Sequence, residues 1–161
     1  NQLLDALKKI DYKPRNHFYL YPAPGPMLKA PEADGALAIT IFEGHAPFTD
    51  NKVAAEFVEE YRKRAKAANM PDTAVETQAA ASFSAWQIIE AAVKGTNSID
   101  DEQMTKWLQS HTVDSIQGKL RFNERGNFGD DLGRVKQVQN GEWVTVYPKE
   151  WAKPGATLKT S

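Results

Sequence analysis

The chain has 161 residues, of which 41% are hydrophobic and 25% are charged, a composition typical of a globular protein with one ordinary domain or parts of two. Lys and Arg number 20 against 21 Asp and Glu, so the chain lacks the excess positive charge with which nucleic-acid-binding proteins hold phosphates. The absence of Cys excludes disulfides, thiolate metal ligands and a Cys nucleophile, and no apolar run approaches the roughly 18 residues that span a bilayer.

The N-terminal quarter of the chain predicts a helix followed by two strands. Leu and Ile recur there at spacings of three and four residues, which predicts a helix over residues 1–10. Residues 17–21 are an aromatic-rich strand that a run of prolines ends. Residues 36–42 form a second strand, whose nearly continuous apolar character predicts burial on both faces, as in a parallel sheet covered by helices. This order of elements is typical of an α/β fold.

Three helices are predicted in the middle of the chain. Residues 50–68 are amphipathic, with one apolar stripe and a charged, solvated side. Residues 77–93 carry Glu90 as their single charge, and small and apolar residues around most of the circumference predict a helix buried on several sides. We expect Gly95 to end this helix. Residues 98–102 predict the start of a third helix, because the helix dipole favours acidic residues in a first turn.

The C-terminal third of the chain predicts strands and turns. Residues 118–122 alternate like a strand. Residues 134–139 and 142–147 alternate on either side of Asn140-Gly141, a strong hairpin signal because both turn positions require positive φ. The final residues are predicted to form a loose tail.

No group of residues points to catalysis, a metal or a cofactor. His17, His45 and His111 are dispersed along the chain without the spacing of zinc ligands. The acids at 100–102 are explained by helix capping more simply than by a cation site. Neither a glycine-rich phosphate-binding loop nor a Gly-x-Ser-x-Gly elbow occurs.

Several segments together resemble the leucine/isoleucine/valine-binding family of periplasmic solute-binding proteins of ABC transporters, which have the type I periplasmic binding fold. No segment is diagnostic alone, but their order and spacing cover nearly the whole chain. The segments that carry the resemblance are residues 36–42, 55–61, 82–93, 114–126 and 135–148.

The resemblance covers only the C-terminal part of the family's usual chain and implies a two-lobed α/β fold. It assigns residues 1–41 and 134–147 to the C-terminal lobe and residues 47–128 to the N-terminal lobe. Residues 42–46 and 129–133 would be hinge crossovers, and residues 148–161 a C-terminal extension. Because the chain begins at Asn1 without a starting Met or a leader, we expect processing, proteolysis or a boundary within a longer chain to have made this end.

The resemblance also implies where solute binds. In the family the loop after the first predicted strand lines the cleft, which places Tyr21, Pro22 and Ala23 near solute. Relatives that bind amino acids have an acidic residue in this loop to meet the ammonium group, and this chain has Pro and Ala there. Gln78 matches a ligand-contacting position of the other lobe, and its amide suits a carboxylate or carbonyl. Alternatively, Tyr21 packs at its strand end and Gln78 is simply exposed.

The implied function is the extracytoplasmic (periplasmic) solute-binding component of an ABC importer. It would capture a small organic solute, such as a branched-chain or hydrophobic amino acid, an amide, or an aromatic or aliphatic acid, and present it to the transporter permease without a cofactor or a chemical step. The helices within residues 50–110 would present apolar faces that a missing N-terminal half or an intertwined homo-oligomer covers.

Two alternatives to the importer component remain. A cytoplasmic ligand-sensing regulator of the same fold would lack a secretory leader on the full-length chain. A small α/β hydrolase or reductase would carry its nucleophile or nucleotide loop outside this sequence.

Overall fold

The structure, a computed structural model, describes residues 2–20, 27–75, 77–127 and 133–160. Its chain divides into two compact units. The first unit consists of Asn1–Glu76 and Gly133–Ser161, and the second of Thr77–Leu132. The chain therefore passes from the first unit to the second and returns.

Four α-helices and six strands lie within the described residues. The helices are α1 (Gln2–Lys9), α2 (Lys52–Ala67), α3 (Thr77–Thr96) and α4 (Asp101–Ser110). The strands are β1 (Phe18–Tyr19), β2 (Leu37–Thr40), β3 (Thr112–Ser115), β4 (Gly118–Arg121), β5 (Arg134–Gln139) and β6 (Glu142–Tyr147). These helices and strands match the predicted α/β class, and β3 is an element that the sequence analysis did not predict.

The first unit is built on a four-stranded mixed sheet in the order β1-β2-β5-β6. β1 and β2 are parallel, whereas β2 pairs antiparallel with β5 and β5 antiparallel with β6. Asn140 (φ 55°) and Gly141 (φ 77°) form the turn between β5 and β6, which confirms the hairpin predicted from this dipeptide. The predicted strands at 36–42 and 118–122 lie in separate sheets.

One hydrophobic core of the first unit includes α1 and the N-terminal end of β2. Leu4 of α1 packs there with Met27, Ala33, Ala36 and Val138 of β5. At its centre, β2 is buried on one face only, because Ile39 on the other face is 38% exposed. The expectation that this strand is buried on both faces is therefore wrong for the described structure.

Helix α2 packs against an aromatic cluster in the segment that follows β2. The ring of Phe42 meets that of Phe48 at 5.5 Å and that of Phe57 at 6.0 Å, both edge to face. Asn51 begins α2, since its Oδ1 accepts hydrogen bonds from the amides of Val53 (2.9 Å) and Ala54 (3.2 Å). This contact places α2 in the first unit together with β2.

The division into units can be compared with the lobes that the resemblance assigned. Residues 42–46, predicted as a hinge crossover, lie inside the first unit, and so does α2, which was assigned with residues 47–128. Of the predicted hinge 129–133, residues 129–132 lie outside the described residues. The correspondence between units and lobes stays a prediction.

The second unit packs α3 and α4 against the antiparallel hairpin of β3 and β4. Val113, Ile116 and Leu120 are the buried apolar residues of this hairpin. Gln87 of α3 fixes its turn, because the Oε1 of Gln87 accepts a hydrogen bond from the amide of Ile116 at 3.0 Å.

Helix α3 extends past Gly95, where the sequence had predicted its end. It continues to Thr96, and Asn97 takes the left-handed conformation with φ 50°. A methyl group added at Gly95 would overlap the indole of Trp107 in α4. The glycine therefore serves the close approach of two helices.

The C-terminal tail is held against β5, contrary to the predicted loose tail. The Oε1 of Gln137 accepts from the amide of Lys159 (2.9 Å), and its Nε2 donates to the carbonyl of Lys159 (2.9 Å). The Nε2 of Gln139 donates to the carbonyl of Thr157 at 2.8 Å.

Candidate functional site

Of the four predicted solute contacts, Gln78 lies among the described residues. Its exposed side chain stands in the first turn of α3. Tyr21, Pro22 and Ala23 lie outside the described residues and follow β1 in the sequence. The loop at 21–23 belongs to the first unit and Gln78 to the second, so their contact with a common solute stays a prediction.

The carboxyl ends of the parallel strands β1 and β2 mark one edge of the sheet, and β5 begins at the same edge because it runs antiparallel to β2. In open α/β sheets, ligands bind beyond the carboxyl ends of the strands. β1 ends at Tyr19, two positions before Tyr21 in the sequence.

A buried ion pair lies at this edge of the sheet. The Nζ of Lys136 in β5 is 2.7 Å from Oε1 of Glu43, which follows β2. The hydroxyl of Thr40 donates a hydrogen bond to the same oxygen at 2.7 Å. The ammonium group of Lys136 also lies 4.9 Å from the centre of the Trp143 ring. Both charges thus have partners inside the protein, and we assign them a structural role.

Arg134 occupies the point where the chain enters β5. Its guanidinium carbon lies 4.0 Å from the centre of the Trp151 ring and 5.6 Å from that of Phe48. Its Nη1 donates to the carbonyl of Ile41 at 3.3 Å. These contacts fix the first residue of β5 against the end of β2 and against the segment that follows β6.

His45 lies beside the same edge and is also used in packing. Its Nδ1 is 2.7 Å from the carbonyl of Ala46, which can only accept, so this nitrogen carries a proton. Its Nε2 is 3.4 Å from the hydroxyl of Thr145. The sequence alone contains no signal for these tertiary contacts. Glu43 and Lys136 are 93 positions apart, and His45 and Thr145 are 100 positions apart.

The described residues contain no cluster of three or more His, Asp or Glu that could hold a metal ion. No helix within residues 2–20, 27–75, 77–127 and 133–160 is both long and apolar enough to cross a membrane.

An uncharged stripe on α3 is exposed in the described structure. Trp86 is 70% and Ile89 47% exposed, although the sequence predicted burial on several sides. Residues three and four apart share one face of a helix. This rule places Gln78, Ser82, Ala85, Trp86 and Ile89 on one stripe, which we call the α3 stripe.

The family model described as periplasmic binding protein matches residues 1–142 of the chain. No curated protein matches the sequence.

Three solved structures that resemble the chain are described as leucine-, solute- or substrate-binding proteins. The leucine-binding protein LivK of Thermotoga maritima is 15% identical, with a TM-score of 0.61. A solute-binding protein of R. palustris in complex with benzoate is 14% identical, with a TM-score of 0.58. A substrate-binding protein of Desulfitobacterium hafniense in complex with Leu is 17% identical, with a TM-score of 0.57.

Each of these matches covers 90% of the present chain, and between 45% and 47% of the matched chain. The chain therefore spans about half the length of these structures. At this level of identity the likeness shows the fold.

Proposed function

Because the chain belongs to the family of periplasmic binding proteins, we propose that it is part of a receptor that delivers a small organic solute to the permease of an ATP-driven importer. The observation that carries this proposal is the division into two compact units, between which the chain passes twice. In this proposal residues 1–41 and 134–147 contribute to the C-terminal lobe and residues 47–128 to the N-terminal lobe, so that α2, which lies in the first unit, would also serve the N-terminal lobe.

The proposed mechanism is binding without a chemical step. Two lobes joined by hinge segments exchange between open and closed arrangements, and a solute that contacts both lobes stabilises the closed one. The closed arrangement is the one that the permease would recognise. The receptor would act outside the cytoplasm, and a secretory leader on the full-length chain is the observation that tests its location.

We propose a small organic acid with an apolar body as the solute class. Support comes from the bound molecules named for two structural neighbours, benzoate and leucine, which are both carboxylates with apolar bodies. By the resemblance, the uncharged Pro22 and Ala23 replace the acidic residue that would meet an ammonium group, and this favours an acid that lacks the α-amino group. Gln78 would donate from its amide to the carboxylate near the start of α3, where the helix dipole also favours an anion.

The test measures solute affinity in the full-length receptor, with and without the Gln78 amide. Isothermal titration with leucine and with benzoate identifies which carboxylate binds. Gln78→Ala should then weaken binding about five- to tenfold, the worth of one lost hydrogen bond. Gln103→Ala, an exposed glutamine of α4 in the same unit, is the matched control and should leave affinity unchanged. Unchanged affinity in Gln78→Ala would remove this residue from the solute site.

We further propose that the missing N-terminal half of the receptor covers the α3 stripe, with a second copy of this chain as the alternative. Large apolar side chains that lie together on a surface are seldom left bare. Two observations support the first occupant: Trp86 and Ile89 of the α3 stripe are exposed, and the chain spans about half the length of its structural neighbours.

Light scattering of the chain alone and of the chain with the N-terminal half separates the outcomes. Coverage by the N-terminal half predicts a one-to-one complex in which Trp86 fluorescence shifts to the blue. If the chain alone is a compact monomer and does not bind the N-terminal half, the proposal is contradicted.

A further inference from the structure

The first unit contains a cavity of about 530 Å³ that the proposed function does not use. Helix α1, the connector at 11–17 and the segment before β2 form its walls, and Gln137 and Lys159 close another side. Its volume lies within the range of about 300–1,000 Å³ that is usual for sites of small molecules.

This cavity lies at the end of the sheet where β1 and β2 begin. Asn16 and His17 line it and precede β1, and Gly35 lines it and precedes β2. The loop at 21–23 follows β1. Because β1 and β2 are parallel, their starts share one edge of the sheet and their carboxyl ends share the other. The cavity is therefore distinct from the proposed solute cleft.

Each acidic residue of the cavity wall already has a partner. Glu32 pairs with Lys8 at 3.0 Å, and Asp11 lies 3.9 Å from Lys13. Oδ1 of Asp34 accepts a hydrogen bond from the amide of Asn140 at 3.2 Å. Glu32 and Asp11 thus each have a lysine beside them, whereas Asp34 is hydrogen-bonded by a neutral amide.

Two cationic groups of the wall remain without a partner. Within the described residues, the guanidinium group of Arg15 and the ammonium group of Lys159 make no hydrogen bond or ion pair, and both residues line the cavity. The backbone of Lys159 is held on both sides by the Gln137 amide, at 2.9 Å each. This anchoring limits the positions that the Lys159 side chain can reach, which reduces the entropy that a bound ligand must overcome.

The same cavity has an apolar part. Leu4 is buried in the core beneath it, and Leu7, one turn later on α1, is half-buried on its wall. Tyr12 adds an exposed ring. The cavity therefore combines hydrocarbon surface with unpaired positive charge.

We propose that this cavity is a second ligand site, which binds a small carboxylate with an apolar body. The carboxylate accepts charge-assisted hydrogen bonds from Arg15 and Lys159, and the hydrocarbon chain packs against Leu7 and the Tyr12 ring. Glu32 does not oppose this ligand strongly, because Lys8 balances its charge.

The test uses the full-length receptor and hexanoate as the probe, with binding followed by isothermal titration and by the NMR signals of Leu7 and Tyr12. Hexanol, which has the same chain and no charge, is the control ligand and should bind at least about tenfold more weakly. Arg15→Gln should weaken hexanoate binding about tenfold, and Lys159→Gln should weaken it in the same direction. Arg125→Gln removes an exposed arginine of the second unit and should leave binding unchanged.

Three outcomes would overturn the proposal. One is the absence of hexanoate binding at about 10 mM, a concentration at which even a few good contacts are detectable. Another is equal affinity for hexanoate and hexanol, which would deny a role to the two cations. The third is an equal effect of Arg15→Gln and Arg125→Gln, which would place the anion elsewhere.

Discussion

Breaking the ion pair between Lys136 and Glu43 should destabilise the first unit strongly. Both side chains are only 10% exposed, and Nζ lies 2.7 Å from Oε1. Lys136→Met leaves the carboxylate buried with the Thr40 hydroxyl as its remaining partner among these contacts. Removing one partner of a buried pair costs about 3–5 kcal/mol, because the other charge stays desolvated. With a urea dependence of about 2 kcal/mol per molar, a cost of about 3 kcal/mol lowers the unfolding midpoint by about 1.5 M.

The assay is urea unfolding followed by the NMR amide signals of β5 and β6, which report on the first unit alone. Glu43→Gln should have an effect of similar size. The double variant Glu43→Gln/Lys136→Met should cost less than the sum of the two, since it leaves no unpaired charge. Lys52→Met breaks an exposed pair with Glu56 at 3.8 Å in the same unit and should change stability by less than about 0.5 kcal/mol. Single variants that unfold at the midpoint of the unaltered chain would refute the argument from desolvation.

Three further predictions concern local contacts. Gly95→Ala should destabilise the second unit by about 1–3 kcal/mol in urea unfolding, because the added methyl group overlaps the Trp107 indole; a neutral effect would mean that the two helices move apart freely. Asn51→Ala should cost about 1 kcal/mol through loss of the α2 cap, and Asn51→Asp should preserve the cap and most of the stability. The pKa of Glu32 is lowered by a hydrogen bond from its own backbone and by Lys8, so its stabilising effect is present at neutral pH and is lost as pH falls through the lowered value. In an NMR titration, Lys8→Ala should raise that pKa part of the way to its ordinary value, whereas an unmoved pKa would show that the pair does not form in solution.

The sequence predicted most elements because their signals are local. The alternating segments around Asn140-Gly141 define both the turn and the register of β5 and β6, and the structure pairs them as expected. The apolar stripe of α2 likewise predicted its helix to within two residues at the N-terminal end. The family resemblance agrees with the matched family model and with the folds of the structural neighbours.

The sequence predictions failed where a residue or short segment takes its structure from contacts with a distant part of the chain. Gly95 has the chemistry of a helix end, but the structure uses its missing side chain to admit Trp107. Residues 112–115 alternate too briefly for a strand prediction, and β3 exists because β4 pairs with it. The partners Glu43 and Lys136 are 93 positions apart, so only the pairing of β2 with β5 brings them together.

The hydrogen bonds between the tail and the two glutamines of β5 limit which substitutions this end of the chain tolerates. Gln137 and Gln139 bond only the peptide groups of the tail, so these contacts restrict neither the side chain at 157 nor the one at 158, as long as position 159 keeps its N–H. Proline at position 159 is the substitution that these contacts exclude, because it has no N–H to donate to Gln137. A polypeptide cut short before Thr157 would lose the three hydrogen bonds between the tail and these two glutamines, each worth about 0.5–1.5 kcal/mol, so the last few residues add to the stability of the sheet to which they return.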